Sequence, residues 1–197
     1  HKEYRRQRQM CIRDRPHTGR ATWQLINTLV PIFAIWVSIY FLKDVSLWLC
    51  IPPAVLGGLF MVRAFIIFHD CGHGSFLKSK RANSIIGFIT GMLTFTPYRQ
   101  WSWEHARHHA TNGDLDRRGI GDIWTLTVEE YVSSSRRLQL SYRFIRNPII
   151  LFVFAPIVLF VILQRFPNSK AKKKERQSVH LMNLSLIHIS EPTRRTP

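Results

Sequence analysis

The chain has 197 residues, 46% of them hydrophobic, and a formal net charge of +16. A basic balance of that size suits a nucleic-acid binder when it covers one polar surface, but here the apolar and basic residues occupy different segments, which excludes nucleic acid and favours anionic lipid headgroups as the partner. Three cysteines, with Cys50 inside an apolar run and Cys71 inside a histidine motif, exclude a disulfide framework.

Both ends read as foreign. RRQRQMCIRD, from Arg5 to Asp14, is the in-frame translation of a transposase-type sequencing adapter, and LSLIHISEPTR, from Leu184 to Arg194, is what the partner adapter encodes when read outward. Residues 1–14 and 184–197 are therefore expected to be non-native, with 15–183 forming the natural domain. His188 is no ligand candidate on this reading. Residues 1–14 carry a net +3 and residues 184–197 a net +1, which leaves +12, so the basic bias belongs to the middle.

In chain order, the run 23–42 (WQLINTLVPIFAIWVSIYFL) has the length needed to cross a hydrocarbon core about 30 Å thick. A second run, 45–68, follows after Lys43 and Asp44, which leave room only for a tight turn. Together they predict a transmembrane helical hairpin whose ends, at Arg20 and His69, return to one side. Runs this long argue against buried core helices of a soluble protein. Pro31, Pro52 and Pro53 fall inside them, which membrane helices tolerate better than soluble ones.

His69-Asp70-Cys71-Gly72-His73 stands at the membrane exit of the second helix. Residues four apart share a helix face, so His69 and His73 project together, about 6 Å apart along the axis. The stretch 84–97 (SIIGFITGMLTFTP) is too short for a span and is expected to lie at the interface or re-enter. His105-Ala106-Arg107-His108-His109 then places three imidazoles on one helix face. The run 149–163, bounded by Asn147-Pro148 and by Gln164-Arg165-Phe166-Pro167, is expected as a third transmembrane helix, short enough to require a thin bilayer. The predicted fold is thus an all-α membrane protein: a transmembrane hairpin and a third transmembrane helix, with a helical region carrying both histidine boxes. Residues 69–148 hold eleven Lys and Arg against six between the third run and residue 183, which places the boxes on the cytoplasmic side.

Neutral imidazole suits iron, zinc, copper and nickel. One HxxxH arises by chance on many surface helices; two boxes flanking a short apolar stretch do not. His69, His73, His105, His108 and His109 are the candidate metal ligands, and a metal beside an apolar segment points to chemistry on a lipid. Asp70, Glu104, Asp114 and Asp116 are candidates for accepting the free ring N–H of a ligand, and the sequence does not choose among them. Gly72 and Gly74 either permit close approach or simply end the second helix. Trp101, Trp103 and Trp124 suit headgroup level or the lining of an acyl tunnel.

FHDCGHGSF (68–76) and HARHHATNGDLDRRGIGDIWTLTVEEY (105–131) resemble the membrane fatty acid desaturase family, most of all its bacterial acyl-lipid ω-6 (Δ12) branch, and the likeness covers nearly all of residues 20–183. The resemblance implies O₂-dependent insertion of a cis double bond into a fatty acyl chain by two iron ions. It also implies a ferredoxin or cytochrome b5-like electron donor and residence in a bacterial inner membrane. A metal oxidant is needed because no side chain can take hydrogen from an unactivated methylene. The histidine-rich ligand set differs from that of soluble di-iron bundles, which use Glu and Glu-x-x-His. Members of the family also carry a fourth transmembrane helix and a third HxxHH box. Neither is present here, and Ser178 to Asn183 would be the entry to that helix, so the chain is expected to be a fragment, inactive by itself. Two other readings stay open: a membrane di-iron hydroxylase or ketolase acting on carotenoid or alkane, which the box spacing and Gly-Asp-Leu-Asp-Arg-Arg disfavour, and a non-enzymatic membrane metal-binding protein.

Overall fold

A computed structural model describes residues 16–117 and 123–190. The adapter-like stretch 1–14, Arg118 and Arg194 lie outside the described residues. Every regular element among the described residues is helical, and the chain divides into two units, one up to Thr94 and one from Phe95 onward.

The first unit is built on the predicted hairpin. Helix α1 (Thr18–Leu42) starts where the His17 Nδ1 accepts the Arg20 N–H at 3.2 Å. It buries a narrow stripe of Ala21, Thr28, Ile32 and Ile35. After the turn at Lys43 and Asp44, whose side chains pair at 3.0 Å, a 3₁₀ turn (Leu47–Cys50) leads into α2 (Ile51–Gly72). Pro52 and Pro53 sit in the first turn of α2, where backbone N–H groups have no intrahelical acceptor, so they cost the helix little. Contacts between the helices run in opposite directions along the chain. The Cys50 thiol meets the Ile39 carbonyl, Gly57 faces Ile35, and Arg63 bonds Asn27, so α1 and α2 are antiparallel.

Both helices are long and apolar enough to cross a membrane, yet only 17% of the apolar window of each is buried in the protein. Phe33, Trp36, Phe41, Leu59 and Val62 all stand exposed. A soluble protein does not leave such a continuous apolar surface to water; lipid is what covers it. A Cβ built at Gly57 would come 3.3 Å from the Ile35 Cγ2, so this glycine sets how closely the hairpin packs. Gly57→Leu is expected to weaken the hairpin by about 1–3 kcal/mol through overpacking. An SDS titration of the purified chain, followed by tryptophan fluorescence, checks this; an unchanged midpoint would mean that Gly57 is not at a tight contact.

Helix α3 (Lys80–Leu93) occupies most of the stretch expected to re-enter or lie at the interface. It is capped by the Ser79 hydroxyl accepting the Ala82 N–H, and it packs on α2 through Asn83, Gly87, Thr90 and Gly91. The small residues allow close approach, and the Thr90 hydroxyl donates to the Ile86 carbonyl of its own helix, so that this face packs as if apolar. Asn83 also fastens the chain ahead of the helix. Its side chain accepts the Leu77 N–H at 2.9 Å and donates to the Leu77 carbonyl at 2.7 Å.

The second unit begins with α4 (Tyr98–Thr111), followed by α5 (Val128–Ser133) and α6 (Arg136–Ile145). The Thr-Val-Glu-Glu-Tyr string is a capping box: the Thr127 hydroxyl accepts the Glu130 N–H, and the Glu130 carboxylate accepts the Thr127 N–H at 2.7 Å. Tyr131 accepts from the Arg143 guanidinium at 2.6 Å, and the Trp124 ring packs edge-on against Tyr142, which ties α5 and the strand of chain before it to α6. The third apolar run is not a regular α-helix. Ile150–Arg165 is wound largely in π-type turns, and it meets α6 at a 59° bend, so the pair makes a third span only if taken together. The physical cause lies in Pro148 at the bend and Pro156 within the run, each of which removes an amide donor from the helical ladder. Helix α7 (Lys173–Ser190) closes the unit and continues without a break across residue 183, with Leu184 and Ile187 exposed.

Candidate metal centre

Each histidine box is placed by the end of a helix. His69 lies in the last turn of α2 and His73 is its C-cap, which brings the two rings to 4.5 Å between centroids. The helix stops there because the chain adopts a left-handed conformation at Gly74, φ +69°. The Gly74 N–H bonds the Cys71 carbonyl, and the Ser75 N–H bonds the Asp70 carbonyl, both at 3.0 Å, which together make a Schellman closure. Gly74 is thus a helix stop. Cys71 points into the core of the unit, away from solvent.

Asp70 is 3.1 Å from the His69 Nδ1. A carboxylate accepts, so a ring N–H at Nδ1 is the partner this contact calls for, the position of an acid that orients a metal-binding imidazole. Of the four acids named as candidate ring partners, Asp70 takes that position. Glu104 instead accepts the Asn168 side-chain N–H at 2.9 Å, and Asp114 accepts the Asp116 N–H and pairs with Arg117.

Helix α4 carries the second box on its last two turns. His105 and His109 are 4.4 Å apart by ring centroid, and their Nε2 atoms stand 3.0 Å from one another. His108 completes the triangle, 6.0 Å from His105 and 5.7 Å from His109. Trp101 stacks on His105 at 4.3 Å with 17° between planes, which restricts the rotation of that imidazole. The Arg107 guanidinium lies over the Trp103 ring at 5.1 Å, so this cation is turned to an aromatic face of the same helix.

The donor set fits a transition-metal ion. Two imidazole nitrogens on one tetrahedral ion at about 2.1 Å stand about 3.4 Å apart; the His105 and His109 Nε2 atoms lie 3.0 Å apart, at hydrogen-bond distance, so the pair has to open by only a few tenths of an ångström to take an ion between them. The helix ends add to this. Both boxes sit near the C-terminal ends of their helices, where the helix dipole places partial negative charge that favours a cation.

What holds α4 in place was not visible in the sequence. Gln100, almost wholly buried, accepts the Asn168 N–H at 2.9 Å and donates to the Phe166 carbonyl at 3.3 Å. The Arg99 N–H donates to the Ser178 hydroxyl at 3.1 Å, and the Arg165 guanidinium donates to the Phe95 carbonyl just before the helix. Asn183 in turn donates to the Arg165 carbonyl at 2.8 Å and accepts from the Arg165 guanidinium at 3.2 Å. Burial pushes the Glu104 carboxyl above its ordinary value, and the bond from Asn168 works against that shift. Asn168→Ala removes the side-chain donor and leaves the half-buried Glu104 carboxyl without it. The expected cost is about 1–3 kcal/mol, read as a lower midpoint of thermal unfolding by circular dichroism in detergent. An unchanged midpoint would show that the clamp contributes nothing.

The family model described as fatty acid desaturase matches residues 46–190. A fatty acid desaturase of Bacillus subtilis is 46% identical over 190 residues, which is 96% of this chain and 54% of the relative. The sn-1 oleoyl-lipid 12-desaturase of Synechocystis is 28% identical over 83% of this chain and 44% of its own length. The sn-1 acyl-lipid omega-3 desaturase (ferredoxin) of the same organism is 35% identical over 60% of this chain and 28% of its own length. The chain spans about half the length of the Bacillus protein and less of the other two. No solved structure matches it significantly.

Proposed function

The chain belongs to the fatty acid desaturase family, and from that premise we propose that it carries the first two histidine boxes of an O₂-dependent acyl-lipid desaturase, of ω-6 (Δ12) type, that forms a cis double bond in a fatty acyl chain. The observation that carries this reading is the pair of Nε2 atoms on His105 and His109, which meet at hydrogen-bond distance, 3.0 Å, near a helix end and are close enough for one ion to bridge them. In the whole protein two iron ions are the proposed cofactor, held by His69, His73, His105, His108 and His109 with further ligands. Bound iron supplies, with O₂, the oxidant needed to remove hydrogen from an unactivated methylene.

The chain's own residues do the positioning. Asp70 orients the His69 imidazole, Trp101 limits rotation of His105, and the bonds of Gln100 and Glu104 to Asn168 keep α4 from shifting. A preorganised ligand set costs less to assemble around an ion than a mobile one. The ω-6 assignment draws on the sequence resemblance and on the Synechocystis relative named for the 12 position. Ferredoxin as donor draws on the omega-3 relative whose name includes it, and the basic stretch 69–148 suits an acidic donor on the cytoplasmic face of a bacterial inner membrane. The proposed natural domain is 15–183, with residues 1–14 and 184–197 read as adapter-derived.

The test is the fatty-acid profile of a host expressing the full-length protein with a ferredoxin supply, together with iron analysis of the purified protein. A new double bond six carbons from the methyl end is expected. A new hydroxyl group would replace this reading with the hydroxylase one. Bound metal with no change in lipids would leave a metal-binding protein.

A further inference from the structure

Arg63 is a full positive charge within a helix that is otherwise apolar enough to span a bilayer, and its side chain is exposed on the lipid-facing surface of the hairpin. An ionisable residue in such a segment is expensive and calls for a partner. Its hydrogen bond is to a neutral group: one guanidinium nitrogen donates to the Asn27 Oδ1 at 2.7 Å. The guanidinium also lies 5.6 Å from the Phe60 ring centroid. Among the described residues no carboxylate pairs with it. A guanidinium has five N–H donors, so most of its hydrogen-bonding capacity is left for something outside these helices, and no anion among the described residues offsets its charge.

The depth of the pair says what that is. Trp23, 66% exposed, is one helical turn before Asn27, and Arg20 is nearly another turn further out. At the opposite end of the hairpin the exposed Tyr40, Phe41 and Trp48 surround the turn. Trp23 and Tyr40 are about 25 Å apart along α1 at 1.5 Å per residue, which is the separation of two interfacial aromatic belts across a thin bilayer. Arg63 and Asn27 therefore lie only about 6 Å below the belt on the histidine side. That is within reach of a snorkelling arginine, whose head seeks the phosphate level while its stem stays in hydrocarbon.

We propose that Arg63, oriented by Asn27, binds the phosphodiester of a membrane phospholipid and so sets the depth at which the hairpin rides in the bilayer. Arginine suits this ligand because its planar fork matches two phosphate oxygens. Asn27 is the orienting residue. Its amide oxygen uses one N–H and holds the guanidinium against α1, so that less rotamer freedom is lost when the lipid docks. Since Arg63 is about 9 Å from His69 along α2, a phosphate held there would keep the first histidine box outside the hydrocarbon. The site is distinct from the histidine boxes and does not depend on the reaction assigned to them.

The test uses the 197-residue chain reconstituted in vesicles of equal parts phosphatidylglycerol and monogalactosyldiacylglycerol, a lipid with no phosphate, and native mass spectrometry of the chain with the lipid it retains. The wild type is expected to keep phosphatidylglycerol over the galactolipid by roughly tenfold, the size of one charge-assisted bond. Arg63→Gln should lower the ratio severalfold, to the residual preference that the other basic residues give, and Asn27→Leu should lower it by less. Removing a charge from a span does not hinder its insertion, and circular dichroism on each variant verifies that helix content is kept. Equal preference in Arg63→Gln and wild type, or no preference in the wild type, would overturn the proposal. Release of the lipid by millimolar inorganic phosphate would identify a soluble-anion site and overturn the lipid assignment.

Discussion

Replacing His105 or His109 by alanine in the full-length protein is expected to abolish the unsaturated product while leaving membrane insertion unchanged. Loss of an outer-shell partner of a metal ligand costs roughly 10–100-fold, and loss of the ligand itself should exceed that, taking product below detection. The two Nε2 atoms stand 3.0 Å apart on the last two turns of α4, and no substitute donor is offered at either position by alanine. Insertion depends on α1 and α2, whose exposed apolar faces are untouched by the change. Fatty-acid profiling with a membrane-fraction immunoblot separates the two effects. Normal product from either variant would sink the ligand assignment, and loss of the protein from the membrane would mean that the histidines hold the fold rather than the chemistry.

The second large effect concerns the 197-residue chain expressed by itself with an electron donor supplied, which is expected to make no unsaturated product. Its two boxes offer five imidazoles, fewer than a pair of iron ions needs for a closed ligand set, so at least one ion would be loosely held. Affinity for a histidine cluster then follows the metal more than the site, and zinc or copper displaces iron. Metal analysis after purification should find mixed or substoichiometric metal. A clear new double bond from this chain would show that five histidines suffice and that the proposed two-iron account is wrong.

The hairpin was legible because membrane insertion is written in local composition. Runs of apolar residues at 23–42 and 45–68 predict spans, and the structure gives Thr18–Leu42 and Ile51–Gly72, longer by a turn at the histidine end. Helical spacing likewise predicts the shared faces of His69 with His73 and of His105 with His109, since a helix brings residues four apart together whatever surrounds it. The third run shows the limit of that reasoning. Its hydropathy predicts a helix, but the prolines at 148 and 156 turn it into a bent, π-wound segment whose path hydropathy does not describe. The Thr-Val-Glu-Glu-Tyr string shows another limit, because a motif that helps to mark the family proves to be a helix cap.

The sequence by itself determined the family, the spanning hairpin and the identity of the candidate ligands, all of which depend on residue type and on spacings within one or two helical turns. Only the tertiary structure decided which acid serves a histidine, which tryptophan stacks on one, and what fastens α4. Asp70 against His69 depends on a rotamer, and Gln100 and Glu104 meet Asn168 across 64 to 68 residues of intervening chain. The same holds for Arg63 and Asn27, 36 residues apart, which meet because the hairpin closes in one register. Hydrogen bonds across such distances form only when the chain has already returned on itself, so neither composition nor periodicity records them.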